Sequence, residues 1–567
     1  MPQTNEENDV SPSTGLTESY PKSESDAPAP APAGDGPLEL EEGGREREKP
    51  NLKKSRTFNL AFVGLAFTVF VFHLDATTLG VALPAIATEL HGTSLESFWA
   101  NISYTLCVVI TQPLWASISN ALGRKPPLYV SMVLFAVGSL AFALAKNMAT
   151  VITGRVLQGL GGGGLDVLAE IILADMTTLQ ERSFYLGLMA LPISIGNILG
   201  PSIGAVFSTY ASWRWIGWVN LPILGAATPL VIFCLRLRKV NLETSLVDKL
   251  KRLDWIGMVL FVIGITIFVL PLSWAGALYS WTSWRTLLPL LLGVAMLAVF
   301  AVYEANPQEP IVPHRLFSSK TANMTLLGGF MHGMILFSIL LYLPLFYQAI
   351  ELQTVIGSAV SLLPTSVVSV AVAAGSMMAV AVFGGGYRWV LRLSWVMLVV
   401  GTGILVLLNL DSSSSMRLGL PILWGAGVAM LRLLLLPMQA SVKDVNDTSL
   451  AIGQLLTIRL LGGLVGLAIA ATIFSTVFAA SIASIELLGP LQPLSDPNNA
   501  VAFISELRRL NIPPDLLNPV LRAYLKAFQT IFYTMTAFAG LGFLTSLFTD
   551  DLELNRTDLG QQQFEER

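Results

Sequence analysis

The chain has 567 residues, of which 53% are hydrophobic and 13% charged, about half the roughly 25% charge of an ordinary soluble domain, so a single soluble globular domain is excluded. A formal net charge of −4 gives no nucleic-acid signal. A mean hydropathy of +0.63 and repeated apolar runs of about 20 residues, the length that crosses a ~30 Å hydrocarbon layer, point to a polytopic membrane protein.

Residues 1–56 hold 19 of the 72 charges and are rich in Glu, Ser, Pro and Gly with almost no aromatic content. Such a segment buries no core and reads as a disordered cytosolic tail. The first apolar run follows it, so targeting rests on the first span rather than on a cleavable leader. Fourteen spans are predicted, near 58–84, 98–121, 127–145, 148–174, 184–208, 213–236, 254–274, 286–303, 322–349, 354–382, 388–409, 418–441, 449–478 and 528–548. An even number puts both termini on one side. Lys53, Lys54 and Arg56, with loop bases such as Arg124, Lys125, Arg182, Lys239, Lys249, Arg315 and Lys443, make that side the cytosol. The long outer loop 479–527 carries bases as well, but long loops obey the charge rule weakly. Its stretch Ile504 to Ala527 reads either as an outer amphipathic helix or as a disordered link. Trp213, Trp215, Trp218, Trp274, Trp281 and Trp284 fall near outer span ends and read as an interfacial belt.

An ionisable group at membrane depth is costly, so it faces the bundle interior and marks a pathway or a pair. Asp75, Arg155, Asp166, Glu170, Arg432 and Arg459 are such groups, three acids against three bases. Arg155 and Asp166 are eleven residues apart, within about 20° of three full helical turns, so they share a face with Gly162, and Glu170 lies about 60° away. Asp75 sits about 13 Å below the outer end of its span and Arg155 about 10 Å below its own, which makes an Asp75–Arg155 pair level. Two readings stay open: a proton relay, in which separation from Arg155 favours the protonated acid, and a static ion pair. His332, in the ninth span, reads as a core histidine ahead of a titrating or substrate-contacting one.

Gly159 to Gly164 formally fits a dinucleotide fingerprint, but no strand precedes it and no acid stands about 20 residues on, so that reading fails. No phosphate-binding G-x-x-x-x-G-K-[ST] loop occurs, which argues against an ATP-driven pump. Gly196, Gly200 and Gly204 recur every four residues with Pro201 beside the middle one, a tight helix crossing, a hinge, or both. Cys107 and Cys234 read as two buried thiols. The four histidines and two cysteines form no metal or nucleophile spacing, so neither a metal site, a cofactor nor an enzyme is expected.

At this point the residues resemble the major facilitator superfamily, in its fourteen-span drug:proton antiporter branch of fungi. The resemblance runs over about residues 57–548. It rests on Leu74-Asp75-x-Thr77 with Val81-Ala82-Leu83-Pro84, Gly123-Arg124-Lys125, Arg155-x-x-Gln158-Gly159-x-Gly161-Gly162-Gly163, and Asp175 with Glu181-Arg182. Gly196-x-x-x-Gly200-Pro201-x-x-Gly204, Asn220-Leu221-Pro222, Tyr342-Leu343-Pro344-Leu345 and Arg459-x-x-Gly462-Gly463 continue it. The chain departs from the pattern at Asn120, where the family has an Asp, and at Ala116 and Ala205, where it has Gly.

The resemblance implies an all-α membrane protein of major facilitator fold, with fourteen transmembrane helices in two six-helix bundles plus two linking helices. The corresponding boundaries are a tail 1–56, a bundle 57–237, a linker 238–320, a bundle 321–548 and a cytosolic tail 549–567. It implies proton coupling by Asp75 and Arg155, to which the intramembrane Asp166 and Glu170 are joined as candidates. It also implies gating by Gly123, Arg124, Lys125, Asp175, Arg182, Gly196, Gly200, Pro201 and Gly204. With Asn120 uncharged, Arg124 is expected to pair with Asp175 instead. Gln158, Phe330, His332, Phe337, Arg432 and Arg459 are the candidate substrate-cavity residues. The two arginines favour an anionic substrate or simply neutralise acids. The expected function is proton-coupled efflux of small amphipathic compounds such as drugs, toxins or secondary metabolites, by a monomer in the plasma membrane whose partners are substrate, protons and lipid. The alternatives are a siderophore or basic amino-acid carrier of the same fold and, from another class, a non-transporting receptor or scaffold.

Overall fold

A computed structural model describes residues 54–567 apart from 93, 239–249, 276–278, 308, 384–385, 484, 486–488, 496–499, 511, 555–559, 561 and 566–567. The N-terminal tail to residue 53, Lys53, Lys239 and Lys249 lie outside the described residues. Fourteen helices are long and apolar enough to cross a membrane. They are α1 (Arg56–Glu89), α2 (Ser94–Leu122), α3 (Lys125–Ala143), α4 (Met148–Met176), α5 (Leu179–Tyr210) and α6 (Trp215–Cys234). Next come α7 (Trp255–Trp274) and α8 (Trp284–Tyr303). The last six are α9 (Lys320–Ile350), α10 (Val355–Val382), α11 (Tyr387–Leu407), α12 (Ser414–Ala440), α13 (Thr448–Ile482) and α14 (Pro514–Leu547). Each overlaps one predicted span. Starts are set by short polar side chains: Ser55, Asn147, Thr178, Asp254, Ser319 and Ser413 accept first-turn N–H groups that would otherwise lack a partner.

In one bundle α1 packs on α5 and α6, and α4 on α2 and α3. In the other, α9 packs on α13 and α14, and α12 on α10 and α11. The bundles meet along α5–α10 and α2–α13, and the α7–α8 hairpin covers one seam through α7, which touches α2 and α13. The outer face of α8 is exposed and apolar, with Leu288, Leu291 and Val302 at 59–74%, as a face toward lipid requires. The described chain ends share one end of the bundles, here called the tail face.

Two expectations change. The last span begins at Pro514, not near 528, so the connection after Ile482 shrinks to 483–513 and includes a short helix, Ala500–Leu507. Exposed Arg522 and Lys526 lower the local hydropathy, but Val520, Leu521, Tyr524 and Phe528 form a buried face. Rings pack across it, Phe478 to Tyr524 at 4.5 Å and Phe474 to Phe528 at 5.3 Å. The stretch Ile504 to Ala527 is therefore neither one amphipathic outer helix nor a loose link. The C-terminal tail is also tied down. Arg238 N–H donates to the Gln563 carbonyl and Glu565 N–H to the Arg236 carbonyl, both at 2.9 Å, and Phe564 meets Phe58 edge-on at 5.3 Å.

The tryptophans divide. Trp215 and Trp284 are 53% and 69% exposed, as belt residues are, whereas Trp213 is buried against Phe142 and donates to Glu89 at 2.8 Å. Arg214, 2.5 Å from the same Glu89, holds its carboxyl below the usual range. Trp281 donates to Thr472 at 2.6 Å and fastens the hairpin to α13. Cys107 and Cys234 are free and half-buried.

Glycine lets α4 sit between α2 and α3. A Cβ on Gly159 would lie 2.6 Å from the Tyr104 carbonyl oxygen of α2, and one on Gly161 2.5 Å from the Ser131 carbonyl oxygen of α3. On α5, a Cβ at Gly196 would lie 2.9 Å from the Phe70 carbonyl oxygen and one at Gly200 2.8 Å from that of Leu74, while Gly204 abuts the Thr78 carbonyl. The repeat with Pro201 is thus the α1–α5 crossing. Gly161→Val should overpack the α3–α4 contact by roughly 1–3 kcal/mol, read as a lower melting temperature of the purified protein, whereas Gly80→Val, where a Cβ meets nothing within 4 Å, should leave it unchanged.

Candidate functional site

Five helices converge on Asp75 of α1. Arg155 Nη1 of α4 donates to its Oδ2 at 2.6 Å; Gln158 Nε2 of α4 and Asn220 Nδ2 of α6 donate to its Oδ1 at 3.1 and 2.8 Å. Both amides also donate to Ser139 Oγ of α3, and the Arg155 guanidinium lies over the Tyr104 ring of α2, 4.1 Å from its centre. All are nearly fully buried. Every group bonded to Asp75 presents an N–H, the environment of a carboxylate; an added proton has no partner there until a donor withdraws.

Two turns and more along α4, Asp166 accepts from Gln112 of α2 at 2.8 Å and stands 3.4 Å from His73 Nε2 of α1, whose Nδ1 faces Asn197 of α5 at 3.3 Å. Glu170 crosses to the other bundle, where Arg432 Nη2 donates to its Oε1. Arg432 lies in a 3-10 turn, Leu431–Leu434, that interrupts α12. A cavity beside this pair is lined by Arg432, His332 of α9 and Arg459 of α13 together with Gly329 and leucines.

The tail-face ends of α2, α4 and α5 meet at Asp175 and Arg182. Arg124 Nε donates to Asp175 at 2.7 Å and its Nη1 to Ser119 and Asn120 at 2.8 and 2.6 Å. Arg182 Nη2 donates to the Ala174 and Thr177 carbonyls at 2.5 and 2.9 Å, closing the end of α4, and its Nη1 reaches Gln439 of α12 at 2.9 Å. Asn120 also accepts from Ser449 Oγ of α13 at 2.6 Å. Gly123 has φ +88°, a conformation glycine adopts freely, and Gln562 of the C-terminal segment lies against it and accepts from Arg124 N–H at 3.2 Å. Lys125 opens α3 next in line.

The structure thus brings Asp75 together with Arg155, Arg124 with Asp175, and Glu170 with Arg432, and groups His332 and Arg459 with the last pair. Gln158 belongs to the Asp75 network, not to that cavity. Phe330 and Phe337 do not line it either: the Phe337 ring lies on Gly463 and the Phe330 backbone on Gly462, packing that joins α9 to α13. Sequence reasoning missed Tyr104, Gln112, Ser139, Asn197 and Gln439. Their signal was polarity within apolar runs, which is weak because buried hydroxyls and amides also bond to their own helix backbone.

A family model described as Major Facilitator Superfamily matches residues 65–467. The chain is 66% identical over 528 residues to the MFS-type transporter sphD of Aspergillus fumigatus, covering 93% of this chain and 91% of that protein. It is 31% identical over 549 residues to the MFS-type efflux pump LUC4 of a Fusarium species, covering 95% and 94%. A crystal structure of the human organic anion transporter MFSD10 superposes with a TM-score of 0.54 at 14% identity, covering 87% of this chain and 100% of that one, a likeness of fold alone.

Charge reversal tests the Arg124–Asp175 pair. Arg124→Glu and Asp175→Arg each leave a buried like-charge or unpaired site, worth roughly 3–5 kcal/mol, and each should lower the melting temperature; the double reversal should recover part of the loss. A double variant no more stable than either single one shows that the pair is dispensable.

Proposed function

The chain belongs to the Major Facilitator Superfamily and is an efflux transporter, and on that premise we propose that it exports small amphipathic organic compounds in exchange for protons. The observation that carries the proton coupling is Asp75, buried and held only by three N–H donors from two helices. A proton delivered to Asp75 removes the charge that Arg155, Gln158 and Asn220 converge on, so one protonation loosens α1 from α4 and α6 together. Asp166 and Glu170 extend the same role down α4. A proton on Glu170 cancels its attraction for Arg432 and so weakens a buried bond between the bundles.

The reading takes the tail face as cytosolic and the plasma membrane as the home of a monomer. With Arg182–Gln439, Asn120–Ser449 and Glu170–Arg432 in place, the bundles are held together from their middle to that face, so this arrangement is the one closed to the cytosol. Arg124, Asp175, Gly123 and Lys125 brace the α2–α3 turn under it, and the Gly196, Gly200, Pro201 and Gly204 crossing carries α5 against α1 as the bundles rock. Export requires that substrate and proton use the site in turn, and rocking exposes it alternately to either side. His332, Arg432 and Arg459 contribute the polar groups of the substrate cavity among leucines, which suits amphipathic compounds. A basic amino-acid cargo fits poorly beside two guanidinium groups.

Inside-out membrane vesicles test this. Wild-type protein should drive accumulation of hydrophobic dyes or fungal metabolites when a proton gradient is imposed. Asp75→Asn, which keeps the shape of the side chain, should reduce gradient-driven movement by about tenfold or more while leaving expression intact. Movement in Asp75→Asn equal to wild type removes Asp75 from the coupling.

A further inference from the structure

The chain that leaves α14 is fastened to both bundles. Its first residues stay with the second bundle: the Tyr387 hydroxyl at the start of α11 donates to the Asp550 carbonyl at 2.7 Å and accepts from Leu552 N–H at 2.9 Å, and Asp550 N–H donates to Thr321 of α9 at 3.1 Å. Its last described residues lie on the first bundle. Residues 563–565 run antiparallel to 236–238, the stretch that follows α6, with Leu237 opposite Phe564 and a backbone hydrogen bond on either side of that pair. Leu237 is buried there although it belongs to no helix, and the Phe564 ring rests on Phe58 of α1.

The docked end also reaches the tail-face gate. Gln562 is buried and accepts from Arg124 N–H, and the missing side chain of Gly123 is what admits it, because a Cβ there would lie 2.9 Å from Gln562 Nε2. Gly560 abuts the Asp175 carboxylate so closely that a Cβ on it would overlap that group. Arg124 in turn donates to Asn120, and Asn120 accepts from Ser449 of the second bundle. Gln562, Arg124, Asn120 and Ser449 thus form one hydrogen-bonded chain from the C-terminal segment across the seam between the bundles. The 563–565 stretch itself is held by two backbone bonds and a ring contact, each modest, so it can release and dock again without unfolding a bundle.

We infer that Gly560 and residues 562–565 are a releasable latch on the arrangement closed at the tail face. Residues 550–552 continue directly from α14 and move with the second bundle, so parting the bundles at this face pulls the two fastenings apart and the docked end yields. Release also takes the acceptor from Arg124 N–H and the packing from Asp175, which loosens the turn that presents Asn120 to Ser449. The efflux reading enters at one point: with the tail face as the side where cargo enters, the latch sets how often the empty carrier opens to its cargo.

The test reads opening directly, in nanodiscs, as the rate at which a hydrophilic maleimide labels Ser449→Cys in a background of Cys107→Ala and Cys234→Ala, resolved by peptide mass. Ending the chain at residue 559 should speed labelling by about fivefold or more, and Phe564→Ala by less. Leu237 and Phe564 are a non-hydrogen-bonded antiparallel pair, whose ~4.5 Å Cα separation lies in the range a disulfide spans. Leu237→Cys with Phe564→Cys should therefore slow labelling of the reporter on oxidation and restore it on reduction. Equal labelling of the shortened and full-length chains overturns the latch. So does an oxidised pair whose reporter labels as fast as in the reduced form, since 563–565 then stay docked while the face opens, and that result needs no shortened chain to fold. Neither readout involves transport. Faster labelling of a shortened chain by a protein that moves no dye in a proton gradient supports the latch and rejects coupled efflux, whereas gradient-driven efflux with unchanged labelling rejects the latch alone.

Discussion

A charge carried into hydrocarbon must find its partner inside the protein, and much of this architecture follows from that requirement. Asp75–Arg155 ties α1 to α4, Glu170–Arg432 ties α4 to α12, and Arg124–Asp175 ties the α2–α3 turn to the end of α4. Removing one member of a buried pair leaves the other uncompensated, at a cost of about 3–5 kcal/mol, so each pair fixes a helix rotation as firmly as packing does. One helix supplies a member of all three. That role needs close neighbours on every side, and the glycines at 159, 161 and 163 let α2 and α3 approach α4 backbone to backbone.

The contacts that join the two bundles are of a different grade. Asn120–Ser449 is a neutral hydrogen bond and Arg182–Gln439 involves one charge, each worth on the order of 0.5–3 kcal/mol net. Only Glu170–Arg432 is a buried ion pair between bundles among the described residues. Apart from Glu170–Arg432, the contacts between the bundles are weaker than the bonds within the N-terminal bundle, the distribution a rocking motion needs: rigid units most of whose mutual contacts break and reform at modest cost. The C-terminal segment adds to the N-terminal side, since Gln562 lies under Gly123 and Arg124, and Phe564 packs on Phe58.

What the sequence discloses follows the strength of its signals. A charge within twenty apolar residues is conspicuous, so Asp75, Arg155, Asp166, Glu170, Arg432 and Arg459 stand out, and helical geometry puts Arg155 and Asp166 on one face and Asp75 level with Arg155. The pairing of Arg124 with Asp175 follows from the uncharged Asn120. Glu170 and Arg432 are 262 positions apart on different bundles, and no periodicity links them. The start of α14 is hidden because Arg522 and Lys526 dilute an apolar face that only three-dimensional packing against Phe474 and Phe478 reveals. Phe330 and Phe337, expected as cavity lining from their place near a central histidine, sit against Gly462 and Gly463, where they join α9 to α13.

The two partners of the central ion pair also sit on unequal supports. Glu170 projects from the closely packed end of α4, which Arg182 caps and Arg124 grips through Asp175. Arg432 projects from a 3-10 turn in α12, where hydrogen-bond geometry is poorer than in an α-helix, and Pro437 just beyond it contributes no N–H to the ladder. When the charge on one partner is cancelled or a ligand competes for it, the less regular backbone yields first. In the proposed exchange cycle, movement at the centre falls to α12 and the bundle around it, with α4 as the fixed post against which the other half turns.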